Sequence, residues 1–437
     1  MSGAVPAAVT MERAARVAGE VIVPGDKSIS HRALMLGGLA RGRSYIGNLS
    51  PAADVASTAA CLRACGGWVR EFGGGRAVAD GPGGGTGLRS PDGVLDCGNS
   101  GTTMRLLAGV LAGHRGVEAI LDGDASLRRR PMERVAAPLR ALGADVEPSA
   151  GGRPPLRVRG RRPLLGGTVT LAVASAQLKS ALLLAGVCGA APVTVVEPAP
   201  SRDHTERMLR MCGVTVTVDG LRVAVEPGEL RPFGMRVPGD LSSAAFLLAL
   251  AAAREGWEVR CPQVTLNPGR TGILEVLRAM GAEVTVEEGE AAGGVEPVGL
   301  VSVRGAALRG VELGGNLIPR CIDELPVLAV LATQAEGTTV IQDAAELRVK
   351  ESDRIASLAG GLGAMGAVVE ETPDGIVIEG PTALRGARLS AGLDHRLAMA
   401  WAVAGCLAEG PTVIDGADAV AVSYPSFFAD LARLTGT

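Results

Sequence analysis

Two short polar segments hold most of the residues that could do chemistry. The segment VPGDKSISHR contains Lys27, and the segment RVKESDR contains Lys350. Of 43 basic residues in the chain, only three are lysines, and the third is Lys179. A lysine is a compact point charge that can approach one oxygen and change its protonation state, whereas arginine is a permanently charged fork. We therefore interpret Lys27 and Lys350 as functional ammonium groups rather than as ordinary surface lysines.

The segment around Lys27 is typical of a helix start that holds an anion. The Gly-Asp turn and Ser28 can begin a helix, and the free N–H groups of a first turn favour negative charge. Ser28 and Arg32 stand four residues apart, so they share one helix face. A plain helix cap would explain Ser28 but neither Lys27 nor Arg32. The pattern predicts a site for a phosphate or a carboxylate.

Four further segments place polar groups at helix entrances. LDCGNSGTTMRLL has a glycine-rich turn before a helix with Arg105, which suits close backbone approach to a ligand and equally an ordinary turn. RVKESDR sets Lys350 and Arg354 four residues apart, in an anion site or on a salt-bridged helix surface. Asp323 precedes an apolar run as a site carboxylate or a helix cap, and Arg396 precedes another apolar helix.

Composition excludes several classes of protein. The net charge is -3 and aromatic residues make up 2% of the chain, so neither nucleic-acid nor membrane binding is expected. Apolar runs are broken before they reach membrane-spanning length, and the N-terminus lacks a secretory pattern, so we expect a cytoplasmic protein. Eight cysteines without C-x-x-C pairs predict buried thiols, with no disulfide framework and no metal site.

A repeated pattern gives the architecture. In each copy a leucine lies four residues before a glycine, and a valine follows the glycine by three residues, as in PLRALGADV ending at Val146. The pattern predicts a helix, a left-handed glycine cap and the start of a strand. Five such copies occur, and a weaker sixth, DLARLTG, lacks this leucine and valine; their glycines are spaced 68 to 85 residues apart, so we predict an α/β (α+β) fold of six units in two lobes.

A longer duplication supplies an internal control. VPGDKSISHRALML, from Val23, resembles VPGDLSSAAFLLAL, from Val237. Leu241 and Phe246 in the second copy stand where Lys27 and Arg32 stand in the first. The backbone therefore tolerates apolar residues at these positions, which favours a functional reason for the charged pair.

These motifs, together with RRRPM, ASAQLKSALLLAG, SRDHTERML and DHR, resemble those of the 5-enolpyruvylshikimate-3-phosphate synthase family, from about Val21 to Phe428. The resemblance implies the two-lobed enolpyruvyl transferase fold, with three βαβαββ-type repeats in each lobe. One lobe would span residues 26–238 and carry the shikimate 3-phosphate motifs. The second would span 1–25 and 239–437 and close over an interdomain active site.

The resemblance also implies the reaction and its participants. The enolpyruvyl group of phosphoenolpyruvate would pass to the 5-hydroxyl of shikimate 3-phosphate, with release of phosphate, in the shikimate pathway of aromatic amino-acid biosynthesis. It implies no cofactor and no metal, and we expect a monomer. The residues that would bind shikimate 3-phosphate are Lys27, Ser28, Arg32, Ser175, Ala176, Gln177, Ser201, Arg202, Asp323 and Lys350. Those that would bind phosphoenolpyruvate are Lys27, Gly101, Arg130, Gln177, Arg354 and Arg396.

For catalysis, the resemblance implies Asp323 as the base for the 5-hydroxyl, with Lys27 and Glu351 as candidates for protonating the methylene carbon. Gly101 implies sensitivity to glyphosate, because tolerant family members can carry alanine there. Two positions depart from some members of the family: Val422 aligns with a lysine, and His204 with a tyrosine.

Two alternatives stand beside this interpretation. The UDP-N-acetylglucosamine enolpyruvyl transferases share the fold and the donor, but their catalytic-loop cysteine has no counterpart beside Ala125 and Ser126 in GDASLRRRPM. A noncatalytic phosphosugar-binding repeat protein would not need Asp323 and Glu351 beside the cations.

Overall fold

The computed structural model describes residues 5–83 and 87–436, which form two compact units. The central unit comprises Gly25–Pro238 and Ala291–Glu296. The flanking unit comprises the described residues up to Pro24, Gly239–Glu290, and the described residues from Pro297 onward. Residues 291–296, grouped with 239–437 in the sequence analysis, therefore cluster with the central unit.

The helices lie throughout the described residues. They are α1 (Lys27–Leu39), α2 (Ala53–Ala64), α3 (Gly101–Ala112), α4 (Glu133–Ala141), α5 (Ala176–Cys188), α6 (His204–Met211), α7 (Leu241–Ala252), α8 (Gly272–Met280), α9 (Ile318–Cys321), α10 (Leu325–Ala332), α11 (Arg354–Ala364), α12 (His395–Leu407) and α13 (Phe427–Thr435).

The strands are short and alternate with these helices. They are β1 (Ala8–Met11), β2 (Ala18–Glu20), β3 (Arg41–Gly47), β4 (Trp68–Glu71), β5 (Ala77–Pro82), β6 (Leu95–Asp96), β7 (Glu118–Asp122), β8 (Asp145–Ser149), β9 (Arg153–Arg159), β10 (Gly167–Thr170), β11 (Val193–Val196), β12 (Val216–Asp219), β13 (Arg222–Val225), β14 (Gly234–Arg236), β15 (Glu258–Thr265), β16 (Glu283–Glu288), β17 (Val298–Arg304), β18 (Glu312–Leu313), β19 (Gly337–Ile341), β20 (Val368–Thr372), β21 (Gly375–Gly380), β22 (Arg388–Ser390) and β23 (Thr412–Asp415).

Each unit is built on three small mixed sheets among the described residues. The central unit has the orders β14-β3-β5-β4, β6-β7-β9-β8 and β10-β11-β13-β12. The flanking unit has the orders β16-β17-β15-β2, β18-β19-β21-β20 and β1-β23-β22. In the third central sheet β10 pairs parallel with β11, while β13 is antiparallel to both β11 and β12, with Val223 opposite Val195 and Val218. The predicted α/β (α+β) class is confirmed.

The helix, glycine and strand pattern is also confirmed. All six repeat glycines have a positive φ, from 75° at Gly436 to 108° at Gly281. Glycine takes this left-handed conformation without the steric cost that a Cβ would add. Within the described residues, a strand begins shortly after each of the first five glycines, as β8 does after Gly143.

One buried helix of each repeat brings the polar segments to the edge of a core. In α12 every residue is buried, and in α1 every residue is buried except the first two, Lys27 and Ser28. The backbones of α3 and α5 approach closely, since a Cβ added at Gly109 would lie 2.1 Å from the carbonyl oxygen of Ala181. This contact aligns the two helices whose N-termini carry Gly101 and Gln177.

The cysteines behave as predicted, because all eight are buried and free. Residues 5–83 and 87–436 contain no cluster of histidine, cysteine and acidic side chains suited to a metal ion. The same ranges contain no helix with the length and apolarity needed to cross a membrane.

Candidate functional site

The start of α1 holds the first group of predicted site residues. Its N-cap is Asp26, whose carboxylate accepts a hydrogen bond from the backbone N–H of Ile29 at 2.9 Å. The predicted helix start at the Gly-Asp turn is therefore confirmed, but the capping residue is Asp26 rather than Ser28. Ser28 lies in the first turn and is partly exposed.

Lys27 is tied to an acid that the sequence analysis did not identify. Its Nζ lies 2.9 Å from Oδ2 of Asp54, in α2, and the side chains are 17% and 8% exposed. At this burial the carboxylate stabilises the ammonium and restricts where it can point. The pair gives Lys27 a defined position at the entrance of α1.

Arg32 is the most buried cation of this group, with 3% of its surface exposed. Its guanidinium donates to Oγ1 of Thr205 at 2.6 Å, to Oγ of Ser180 at 2.7 Å and to the carbonyl of Ser28 at 2.8 Å. Burial lowers the pKa of Arg32 to about 10, and the positive charge of nearby Arg202 acts in the same direction. The carboxylate of Glu206 is the strongest influence that opposes this fall. These hydrogen-bonded oxygens are all neutral, so an incoming anion would find a desolvated positive charge.

The N-termini of α3 and α5 meet at a second group. Nη1 of Arg105 donates to Oε1 of Gln177 at 2.6 Å, and Nε2 of Gln177 donates to Oγ1 of Thr102 at 2.8 Å. Nη2 of Arg130 donates to Oδ1 of Asn99 at 2.8 Å. A Cβ on Gly101 would lie 2.8 Å from Nη1 of Arg105 and 3.1 Å from Nη1 of Arg130. Gly101 therefore leaves space for two guanidinium groups.

The remaining predicted residues of the central unit lie at the starts of α5 and α6. Ser175 caps α5, accepting from the N–H of Leu178 at 3.4 Å, and Ala176 is the first residue of the helix. The hydroxyl of Ser201 donates to Glu197, and Ser201 and Arg202 are both partly exposed.

In the flanking unit, Arg354 is the centre of a buried ion cluster. Its Nε donates to Oδ2 of Asp394 at 2.8 Å, and its Nη2 donates to Oδ1 of Asp394 at 3.1 Å and to Glu351 at 2.7 Å. Burial alone would lower the pKa of Arg354, but Asp394 and Glu351 outweigh it and raise the pKa. Nη1 is buried without a hydrogen bond to any described residue, and it lies 3.9 Å from Oδ1 of Asp323. That nitrogen is suited to an anionic ligand.

Asp323 lies between two arginines and near the start of α10. Nη2 of Arg396 is 3.9 Å from Oδ2 of Asp323, and Nη1 of Arg396 donates to the Asp323 carbonyl at 3.2 Å. The N-cap position of α10 belongs to Glu324 rather than to Asp323. The side chain of Asp323 is 18% exposed, which leaves part of it open to a ligand.

Lys350 differs from its predicted setting. The helix α11 begins at Arg354, because Asp353 caps it through the N–H of Ala356 at 3.1 Å. Lys350 therefore lies outside the helix, and the predicted helical spacing between Lys350 and Arg354 is wrong. Burial lowers the pKa of Lys350, and Asp323 is the first of the carboxylates that oppose this shift.

The two departures from the family pattern have distinct structural settings. His204 is 1% exposed, and its Nδ1 lies 2.6 Å from Oε1 of Glu296. It is part of the interior of the central unit and is closed to a ligand in this structure. Val422 lies in the flanking unit, at the end of the 3₁₀ segment Ala417–Val422.

The partners that hold the predicted cations, among them Asp54 and Thr205, were not predictable from the sequence. Arg32 and Thr205 are 173 residues apart, and Arg354 and Asp394 are 40 residues apart. Local spacing carries no information on such pairs. The available signal was that Thr205 stands in the motif SRDHTERML and Asp394 in the motif DHR.

The chain is similar to known proteins over nearly its whole length. Residues 11–431 match the family model described as EPSP synthase (3-phosphoshikimate 1-carboxyvinyltransferase). The chain is 53% identical to the 3-phosphoshikimate 1-carboxyvinyltransferase of Roseiflexus sp. (strain RS-1), over 96% of this chain and 97% of that protein. The enzyme of the same name from Synechococcus sp. (strain WH7803) is 51% identical, over 99% and 100%. The solved EPSP synthase of Acinetobacter baumannii superposes with a TM-score of 0.85 at 40% identity, over 97% and 98%.

Proposed function

Because this chain belongs to the EPSP synthase family, we propose which of its residues carry out the reaction. The enzyme transfers the enolpyruvyl group of phosphoenolpyruvate to the 5-hydroxyl of shikimate 3-phosphate and releases phosphate.

The proposed shikimate 3-phosphate site centres on Arg32. Its buried guanidinium, hydrogen-bonded to neutral oxygens, is the single observation that carries this assignment. A phosphate of charge about -1.5 to -2 would neutralise it and the neighbouring Arg202. The residues proposed to contact this substrate are Lys27, Ser28, Arg32, Ser175, Ala176, Gln177, Ser201, Arg202, Asp323 and Lys350.

The proposed phosphoenolpyruvate site is rich in arginine. The buried Nη1 of Arg354, which has no hydrogen bond to any described residue, supports it, because a small anion needs close donors. The residues proposed to contact phosphoenolpyruvate are Lys27, Gly101, Arg130, Gln177, Arg354 and Arg396. Together with the first set, they supply seven cations to two substrates that bring two phosphates and two carboxylates.

The proposed mechanism has an addition step and an elimination step. The 5-hydroxyl oxygen bonds to C2 of phosphoenolpyruvate, its proton passes to Asp323, and C3 receives a proton from Lys27 or Glu351. The resulting tetrahedral ketal phosphate then loses a proton from its methyl group as the C–O bond to phosphate breaks. A positioned acid or base contributes about 10²- to 10⁴-fold each. Positioning two anions against their mutual repulsion is the larger contribution.

We also propose that the enzyme works as a monomer in the cytoplasm, without a nucleic acid or membrane partner. The small net charge of -3 supports the absence of a polyanionic partner. Size-exclusion chromatography coupled to light scattering tests the monomeric state.

Phosphate release tests the assignment of roles. We expect purified protein with phosphoenolpyruvate to release phosphate when shikimate 3-phosphate is the acceptor and not when UDP-N-acetylglucosamine is. Asp323→Ala should lower kcat by about 10²-fold or more if it is the base. Asp418→Ala, at an exposed aspartate of the same unit, is the control. Unchanged turnover in Asp323→Ala would reject the role of Asp323 and leave the family assignment in place.

A further inference from the structure

We propose that Lys179 is a positioning residue for shikimate 3-phosphate, acting through a buried ionic triad with Glu197 and Glu206. The triad contacts Ser201 and is next in the chain to the two residues that bind Arg32, so this inference rests on the proposed shikimate 3-phosphate site. The proposed reaction steps give no role to a charge at this place, and α5 is otherwise apolar over its buried length apart from Ser180.

The three N–H donors of the Lys179 ammonium meet three acceptors, one in α6 and two in the segment between β11 and α6. Nζ lies 2.6 Å from Oε1 of Glu206, in α6, and 2.8 Å from Oε2 of Glu197, just after β11. It also donates to the carbonyl of Ser201 at 3.4 Å. All three charged side chains are 2% or 3% exposed. One nitrogen thus joins α5, α6 and the segment that links β11 to α6.

The linking segment carries two of the proposed phosphate ligands. Glu197 accepts the hydroxyl of Ser201 on its other oxygen, and its own N–H donates to the carbonyl of Leu221 at 2.9 Å. Ser201 is therefore held at both its hydroxyl and its carbonyl. Arg202 is the next residue, so the triad fixes the backbone position from which the Arg202 side chain extends.

The same triad locates Arg32. Ser180 and Thr205 are the chain neighbours of Lys179 and Glu206, and their hydroxyls lie 2.6 Å apart. Both oxygens accept hydrogen bonds from the Arg32 guanidinium. The ionic contact between α5 and α6 is thus directly beside the hydroxyl contact that orients Arg32.

The charges of the triad also favour an ionised Arg32. Burial raises the pKa of Glu206, while the two carboxylates outweigh burial and raise the pKa of Lys179. Glu206 is the first of the carboxylates that oppose the fall in the pKa of Arg32. A buried ion cluster is seldom more stabilising than apolar residues of the same volume, so specification of geometry is the better reason for it.

A double variant separates the contact that Lys179 makes between α5 and α6 from the net charge of the triad. Lys179→Met with Glu206→Gln removes one positive and one negative charge, so the cluster keeps its net charge but loses the link between α5 and α6. We expect the KM for shikimate 3-phosphate to rise at least about tenfold, because buried groups lose their partners. The KM for phosphoenolpyruvate and kcat should stay within about twofold of the parent values. Calorimetric titration with shikimate 3-phosphate alone should show the same loss of affinity.

The matched control is Arg140→Met with Glu133→Gln, at an ion pair of the same unit whose side chains are 41% and 49% exposed. It should leave both KM values unchanged. Lys179→Arg, which keeps the charge, should also raise the KM for shikimate 3-phosphate, because a planar fork cannot direct its donors to the same three acceptors.

The outcomes separate this inference from the proposed function. An unchanged KM for shikimate 3-phosphate in a folded Lys179 variant would overturn the inference, and so would equal losses for both substrates. A parent protein that does not bind shikimate 3-phosphate would instead reject the proposed substrate site. If Arg202→Ala binds shikimate 3-phosphate as tightly as the parent protein does, the proposed role of Arg202 is rejected. The effect of Lys179 on binding would then act through Arg32.

Discussion

Asp394 and Arg354 form a two-point ion pair in which both side chains are almost fully buried, at 0% and 1% exposure. The same carboxylate accepts the N–H of Arg396 at 2.9 Å as the cap of α12. Two proposed phosphoenolpyruvate ligands therefore depend on one acid that does not itself need to touch the substrate.

We predict that Asp394→Asn severely weakens the use of phosphoenolpyruvate. An amide cannot accept from both Nε and Nη2 of Arg354 and the N–H of Arg396 in the same way, and it leaves a buried cation without its main counter-charge. Breaking a buried pair costs about 3 to 5 kcal/mol, so kcat/KM for phosphoenolpyruvate should fall about 10²-fold and the melting temperature should drop. Steady-state kinetics and thermal unfolding measure the two effects.

The matched control for this change is Asp415→Asn. Asp415 also makes a two-point pair, with Nε and Nη2 of Arg388 both at 2.7 Å, but the side chains are 37% and 70% exposed. An exposed pair contributes less than about 1 kcal/mol, so this variant should keep the parent kinetics. Equal losses of kcat/KM and of melting temperature in the two variants would show that the burial of Arg354 does not decide the cost of losing its partner.

A second prediction concerns the pair of Lys27 and Asp54. Asp54→Asn removes the carboxylate that holds the Lys27 ammonium at 2.9 Å, so the lysine loses its defined position. We expect kcat to fall by about tenfold or more, as for a misplaced general acid or anion ligand. Asp80→Asn, which breaks the exposed pair with Arg43, should leave kcat unchanged. Parent-like turnover in Asp54→Asn would exclude a positioning role for this acid.

Gly101 leads to a third prediction, on inhibition. We expect micromolar glyphosate to inhibit the parent enzyme. In Gly101→Ala the new methyl would lie 2.8 Å from Nη1 of Arg105 and 3.1 Å from Nη1 of Arg130, so at least one guanidinium must move. Inhibition should weaken about tenfold or more, with a smaller rise in the KM for phosphoenolpyruvate.

Gly93→Ala is the control for this change, because a Cβ there meets no atom within 4 Å. It should keep the parent inhibition curve. Activity of the parent enzyme that resists micromolar glyphosate, or full sensitivity of Gly101→Ala, would contradict the prediction.

The repeats and the site differ in how far the sequence could predict them. The left-handed glycines, such as Gly143 and Gly213, were predictable because a cap and its helix lie within a few residues. The start of α11 at Arg354 was not predicted. The spacing of Lys350 and Arg354 suggested one helix through both residues, but Asp353 caps the helix after Lys350. The pairing of Lys179 with Glu197 and Glu206 was also missed. It depends on how α5 and α6 pack, which local patterns do not encode.

A fourth prediction concerns stability at acid pH. Burial, with the nearby charges of Lys27 and Arg32, lowers the pKa of His31 well below its ordinary value of 6.5. Between the two pKa values the unfolded chain binds a proton that the folded protein does not, so His31 contributes stability above pH 6.5 that is lost as the pH falls. This loss is at most about 1.4 kcal/mol per pH unit.

We expect the melting temperature of the parent to fall from pH 7.5 to pH 5.5 more steeply than that of His31→Asn. The asparagine is intended to keep a hydrogen bond to Thr58, which lies 2.6 Å from Nδ1 of His31, and it has no group that titrates in this range. Parallel curves for the two proteins would show that His31 titrates alike in the folded and unfolded states.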